Sequence, residues 1–361
     1  MVRQQFLTGM PFFKLLKLLV KYGFDKMYFW DVVRLLKVGL ISSIFSVIER
    51  LLYNVKIKKT HVTDAPIFII GHWRSGTTYL QKILAQDNLL TTPTFYQCTF
   101  PQSFIVAEKF IKPVLQKLIP SVRIFDAMVF GVDEPFDDDF AIIKFTLTSR
   151  MLHFVFPRIA SFNEQAELYN NDKYCWSKAF MHFARKLTFV KGRRLLFKSP
   201  MNTFRIEELL ELFPKAKFIY IYRRPEDVYV SSLYQAKKLF EHNVLQENKT
   251  DVEEFILSRY LSLYDAYEKH KTLIPKSQLI EVSFESLKNS PIEVAISIYE
   301  KLGIKRGEEA LPNIKIYLEA TKNYKNNIYT ISEKDYSLVN NRWSKAYDTF
   351  GYAKNTSPDL S

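Results

Sequence analysis

The stretch GHWRSGTTYL, residues 71 to 80, follows the apolar run PIFII and leads into a helical pattern. A buried strand that turns through a glycine-bearing loop into a helix belongs at the carboxyl edge of an α/β sheet. Such a loop offers backbone N–H groups and the positive end of a helix dipole, so it binds anions. Gly71 and Gly76 let the backbone wrap closely, and Ser75, Thr77 and Thr78 add hydroxyl donors. Thr77 stands directly after the second Gly, where a nucleotide hydrolase carries a Lys. An Arg, Arg74, lies two residues before that Gly.

Further buried strands follow at RLLF, 194 to 197, KFIYIY, 217 to 222, and QLIEVS, 278 to 283. Helices are expected over residues 77 to 86, 203 to 212 with Thr203 as N-cap, 225 to 240, 251 to 270 and 291 to 302. Residues 100 to 190 read as mostly helical, broken by Pro at 101, 113, 120, 135 and 157, and the tail after Ala310 reads as irregular. The expected fold is α/β: a P-loop-type, mainly parallel central sheet flanked by helices, with a helical N-terminal extension and a helical insert. Residues 1–60 form the extension and residues 61–361 the α/β domain, with 100–190 as the insert on one side of the site.

Three downstream strands end in Lys198, in Arg223 and Arg224, and in Ser283. None supplies the carboxylate that a kinase or ATPase uses to hold Mg²⁺. The site therefore reads as one that neutralises anions with side chains and no metal. Arg223 and Ser231, eight residues apart, could clasp one phosphate. The alternative is an Arg paired with Glu226 or Asp227.

The net charge is +13, and residues 1 to 60 hold 11 Lys/Arg against 3 Asp/Glu. Basic and apolar residues alternate there, and the longest uncharged run, Val38 to Ile48, is too short to span a bilayer. No signal peptide is evident. The segment reads as amphipathic helices covering the core, with an interfacial element on a membrane as the other reading. The remaining positive charge suits an anionic ligand without demanding nucleic acid. Cys98 and Cys175 read as two buried, reduced thiols of a cytoplasmic protein.

The motifs PIFIIGHWRSGTTYLQKIL, RLLFKSPMNTFRIEELLELFPKAKFIYIYRRPEDVYVSS and VSFESLKNSP resemble those of the PAPS-dependent sulfotransferases, PAPS being 3′-phosphoadenosine 5′-phosphosulfate. The likeness is greatest to bacterial members with an Arg in the 5′-phosphosulfate loop and covers roughly residues 60 to 350. It implies Arg74 at the bridging oxygen, and Ser75, Gly76, Thr77 and Thr78 around the 5′-phosphate. It also implies Tyr79 against the adenine, Arg223 and Ser231 on the 3′-phosphate, and Lys198 near the transferring group. Phe284 stands where many members have a Tyr. Trp343 resembles a C-terminal lid residue, with Arg342 or Lys345 beside the 3′-phosphate. The two places where the family carries a His hold Pro200 and Asn202 here.

In-line transfer to a hydroxyl needs cations at the departing oxygen and a base at the acceptor. Arg74 and Lys198 suit the first role. The acidic run VDEPFDDDF resembles a family segment and offers the base, with Asp137 and Asp139 favoured and His72 of the loop as runner-up; Glu134 and Asp138 would share a helical face. The acceptor implied is an apolar hydroxyl compound such as a sterol, lipid or phenol. A P-loop kinase of small molecules and a non-catalytic membrane-surface protein are the alternatives.

Overall fold

The computed structural model describes residues 5–62, 64–126, 128–158, 172–322 and 330–354. Its sheet has five strands, all parallel, in the order β2-β3-β1-β4-β5. They are β1 (Ile67–Gly71), β2 (Leu90–Thr91), β3 (Arg194–Lys198), β4 (Lys217–Tyr222) and β5 (Leu279–Ser283). Every residue of β1 is buried, as a central parallel strand covered on both faces must be.

The strand period of two divides the core. Phe68 of β1 faces Phe197 of β3 and Phe218 of β4 in register, with ring centroids 5.5 Å away on both sides. This aromatic ladder anchors the larger core, together with Trp176, Phe180 and Phe213. Ile67 and Ile69 point to the other face, where they meet Leu196, Ile219 and Ile221 and the helix α3 of Thr77–Leu84.

The expected helices form with shifted ends, and two expectations are corrected. Thr203 is no helix N-cap: it lies inside a 3₁₀ turn, Pro200–Arg205, and its hydroxyl accepts a hydrogen bond from Gly71 N at 3.2 Å. The tail after Ala310 is not irregular; it folds into helices Ala310–Thr321, Glu333–Arg342 and Ser344–Phe350. Its polar composition hid short helices that each bury only a few side chains. The two-residue β2 is too short to carry a period. Within 100–190 the helices are Phe104–Leu118, Asp139–Thr146 and Lys173–Lys191, while residues 159–171 lie outside the described ones. Cys98 is buried as expected, but Cys175 is exposed.

The N-terminal segment forms α1 (Phe12–Tyr22) and the 31-residue α2 (Phe29–Lys59). Leu15, Leu18, Leu19, Val32 and Leu35 join a core with Ile143, Leu152 and Phe156 of the insert. A buried ion pair between Glu49 of α2 and Lys186 pins the long helix. Glu49 also accepts from Ile105 N (2.7 Å) and Val106 N (3.1 Å), at the open amino end of helix Phe104–Leu118. Lys186 donates in addition to Pro101 O. One carboxylate thus holds three helices together. The opposite face of α2 stays apolar and exposed, with Leu40 at 54 %, Leu51 at 79 % and Val55 at 64 %. Among the described residues no helix is long and apolar enough to cross a membrane.

Losing one partner of a buried pair strands the other charge, at a cost of about 3–5 kcal/mol. Glu49→Ala is therefore expected to lower stability by about that much in denaturant unfolding. Glu49→Gln combined with Lys186→Met keeps an acceptor for the two N–H groups and should recover most of the loss. A single-variant cost near zero would show that the pair does not hold α2.

Candidate active site

The site lies beyond the carboxyl ends of β1, β3, β4 and β5, where an open parallel sheet places ligands. β1 must turn into α3 within five residues, and the backbone passes through positive φ three times: Gly71 (136°), Arg74 (69°) and Gly76 (99°). A Cβ on Gly71 would lie 2.3 Å from Ile221 O, and one on Gly76 2.3 Å from the Phe284 ring. Arg74 is one of only two non-glycine residues with positive φ among those described. That conformation costs about 1–3 kcal/mol and needs its surroundings to hold it. Arg74 Nε donates to Ser231 Oγ at 2.8 Å and Nη1 to Asp126 Oδ2 at 2.9 Å.

Asp126 is buried and also accepts from Arg123 Nε at 2.9 Å. Burial favours its neutral form, but the Arg123 and Arg74 charges win and hold its carboxyl below the usual range. Lys198, the last residue of β3, donates to Thr78 Oγ1 at 3.2 Å and pairs with Asp137. Burial, reinforced by Arg123 and Lys82, pushes the Lys198 amine well below its ordinary value. From the end of β4, Arg223 donates to Arg74 O at 3.4 Å, and its guanidinium lies 4.6 Å from the centre of the Phe284 ring. It also pairs with Asp227 at 3.2 Å, the alternative that the sequence left open.

Arg74, Asp126, Lys198 and Arg223 share one cavity of about 1140 Å³. One end is lined by Gly76, Thr77, Thr78, Tyr79, Arg223, Phe284 and Lys322. The other is apolar, with Phe45, Phe100, Phe110, Leu115 and Phe140. Arg74, Arg123, Asp126, Asp137, Lys144 and Lys198 lie on its wall too. Nine basic side chains line the cavity against three acidic ones, so it attracts anions.

The charged end fits a ligand with more than one anionic group. The amino end of α3 has no side-chain cap, so its first-turn N–H groups are free for an anion. Arg223 Nε is buried without a hydrogen-bond partner among the described residues. The bare Cα of Gly76 lets the Phe284 ring pack directly against the loop, a place that any side chain would contest.

Other residues singled out in the sequence stand elsewhere. Trp343 does not line the cavity: it is fully buried, stacks on Tyr260 at 3.8 Å and donates its indole N–H to Leu257 O. Arg342 pairs with Glu254 at 2.8 Å and does not line the cavity. Asp139 is turned away and accepts from Ser149 Oγ at 2.7 Å. Asp138 is buried against Asn202 Nδ2 at 3.0 Å. Burial lifts these two carboxyls to about 6 and about 7. Glu134 and Asp138 share no helical face, because the helix starts only at Asp139; Glu134 pairs with Lys82 instead. Ser231 supports Arg74 and, like His72, does not line the cavity.

His72 is buried in the loop, where Nδ1–H donates to Trp73 O at 2.7 Å and Nε2 has no hydrogen-bond partner among the described residues. Burial, with the charge of Arg259, keeps it neutral. Arg259 lies 4.5 Å over the Trp73 ring, fully buried, with no hydrogen-bond partner among the described residues. The sequence reading missed Arg123, Asp126, Lys144 and Arg259. The first two sit in a loop without a motif, and the others look like ordinary residues of charged helices.

The family profile described as "Sulfotransferase family" matches residues 66–308. The omega-hydroxy-beta-dihydromenaquinone-9 sulfotransferase Stf3 of Mycobacterium tuberculosis is 30% identical over 323 residues, covering 88% of this chain and 83% of its own. Two crystal structures share the fold. Sulfotransferase STF9 from Mycobacterium avium aligns with a TM-score of 0.69 at 15% identity, over 95% of this chain and 97% of that one. Sulfotransferase STF1 from Mycobacterium tuberculosis H37Rv aligns with a TM-score of 0.63 at 14% identity, over 92% and 90%.

The buried carboxyl of Asp138 sets a pH dependence. Folded, it titrates at about 7; unfolded, near the ordinary value of about 3.9. Between those values the folded chain keeps a proton that the unfolded chain has lost, so stability falls as pH rises and levels off above about 7. Asp138→Asn removes this dependence. Its melting temperature relative to wild type is expected to climb between about pH 5 and about pH 8. An offset that does not change with pH would refute the assignment.

Proposed function

The chain belongs to the sulfotransferase family, and from that premise we propose that it transfers a sulfuryl group from PAPS to a hydroxyl of a small apolar acceptor, leaving adenosine 3′,5′-bisphosphate. The observation that carries this is one cavity lined by Arg74 of the loop after β1, by Lys198 and Arg223 at the ends of β3 and β4, and by a cluster of aromatic side chains. When bound, the donor supplies a sulfuryl group already activated by its link to a phosphate.

In this reading Ser75, Gly76, Thr77 and Thr78 hold the 5′-phosphate with the amino end of α3. Arg223 takes the 3′-phosphate, and Tyr79 and Phe284 flank the base. Ser231 acts through Arg74, which it orients. Arg74 puts fixed positive charge, and the Lys198 amine a hydrogen-bond donor, where negative charge develops during transfer, a role in which one donor group is worth about 10²–10³ in rate. Asp137, on the cavity wall beside Lys198, takes the proton of the acceptor hydroxyl. Asp139 and His72 do not line the cavity, which favours Asp137 as the base in this reading. Trp343 and Arg342 brace the last helices.

Residues 61–361 would form the transfer domain, with 100–190 walling the acceptor and 1–60 as a docked extension. The related Stf3 is named for a hydroxylated menaquinone, and the apolar end of this cavity suits a lipid, sterol or phenol in the same way. No nucleic-acid partner and no metal belong to this reading. It goes with a cytoplasmic location and peripheral contact with a membrane through residues 1–60.

Calorimetry is expected to show binding of adenosine 3′,5′-bisphosphate. Arg223→Ala should weaken it by about 10–100-fold, the loss of charge-assisted hydrogen bonds. Tight binding of MgATP with none of the bisphosphate would overturn the proposal. With labelled PAPS and a phenol panel, Asp137→Asn should lower kcat by about 10²–10⁴ while bisphosphate binding persists. Wild-type turnover in that variant would remove Asp137 from the mechanism.

A further inference from the structure

We infer that the exposed faces of α2 and helix Phe104–Leu118 form one docking surface for an anionic phospholipid bilayer, and that the apolar end of the cavity opens within it. An apolar acceptor then enters from the bilayer without crossing water. The entry route rests on the reading of that end as the acceptor site; the docking surface does not.

Leu40, Ile44, Val47, Leu51 and Val55 recur every three or four residues along α2, each more than half exposed. The same stripe runs into Lys37 at one end and Lys59 at the other. Helix Phe104–Leu118 extends the patch sideways, since Phe45 and Phe110 stack with centroids 5.7 Å apart. Ile41, Phe110, Val114 and Leu118 are exposed and also line the cavity, so its mouth lies in the patch. More than half of the exposed large apolar side chains among the described residues fall between Phe13 and Val55. A soluble protein rarely leaves such a contiguous surface to water.

Charge selects the occupant. Between residues 5 and 60 eight Lys and Arg side chains are exposed, and no Asp or Glu is. A second copy docked on this face would set like charges against each other, since the exposed acid of helix Phe104–Leu118, Glu108, is already paired with Lys112. An anionic bilayer supplies both the countercharge and the apolar layer. α2 is too polar to cross it and is built to lie along it, about 46 Å at 1.5 Å per residue.

Trp30 is 77 % exposed, whereas Trp73, Trp176 and Trp343 are buried, so changes in emission on docking report this face. The full-length protein is mixed with vesicles of phosphatidylglycerol and phosphatidylcholine, or of phosphatidylcholine alone. Co-flotation and a blue shift of Trp30 are expected with the anionic vesicles and much less with the neutral ones. Ile44→Glu with Leu51→Glu should weaken binding at least about tenfold, with melting temperature and bisphosphate binding unchanged. Lys58→Glu and Lys59→Glu should each weaken it about fivefold or more. The surface assignment fails if anionic vesicles do not bind, or if the double Glu variant binds as well as wild type. It fails too if the protein is a dimer with Trp30 emission already blue-shifted, which the same variant splits.

Entry is tested by turnover. The double variant should lose at least about tenfold on a long-chain alkylphenol carried in vesicles and nothing on a water-soluble phenol. Equal loss on both overturns entry from the bilayer. Intact flotation with no turnover of either phenol by the wild type sinks the sulfuryl-transfer reading and the entry route, and leaves the surface standing.

Discussion

Everything at the site depends on turning β1 into α3 within five residues. That turn forces positive φ at Gly71, Arg74 and Gly76, and it is the Arg that makes the geometry useful. Its left-handed backbone is tolerated because two side-chain bonds, to Ser231 and Asp126, hold its guanidinium over the loop. The helix after Pro225 and the loop around Asp126 are thereby tied to β1. Arg223 adds a third tie by donating to Arg74 O. The strain in one residue is offset by contacts from three separate parts of the chain, and those contacts shape the charged end of the cavity.

The charges illustrate how burial and pairing divide the work. Asp126 stays ionised because two guanidinium groups outweigh its burial. Asp138 and Asp139 are fully enclosed and form no ion pair among the described residues; donors such as Asn202 and Ser149 do not offset the burial, and their carboxyls titrate far higher. Adjacent residues of one acidic run therefore differ in role. Asp137 faces the cavity, whereas Asp138 holds Asn202 and Asp139 holds Ser149.

How much of this the sequence disclosed follows from the range of each interaction. The strand-loop-helix unit, the parallel sheet and the cations at the strand tips were legible because local periodicity and short motifs encode them. Thr203 was misread because its partner, Gly71 N, is 132 residues away. Trp343 looked like a lid residue by its motif, but its stacking on Tyr260 is a tertiary fact. The tail helices were hidden by polar faces. Arg123 and Asp126 became visible only when the chain closed on itself, since nothing in their own loop marks them.

The cavity joins two ends made by different kinds of structure. The charged end is cut from strand tips, where moving one residue by a register step would disrupt the sheet. The aromatic end is walled by helices from the extension and the insert, whose side chains can change size while the helices stay pinned by Glu49 and Lys186. Substitutions can therefore reshape one half and leave the other intact. A lineage built on this frame is free to diversify in what it modifies while staying conservative in what it spends, and comparing relatives should show variation crowding toward the helical wall.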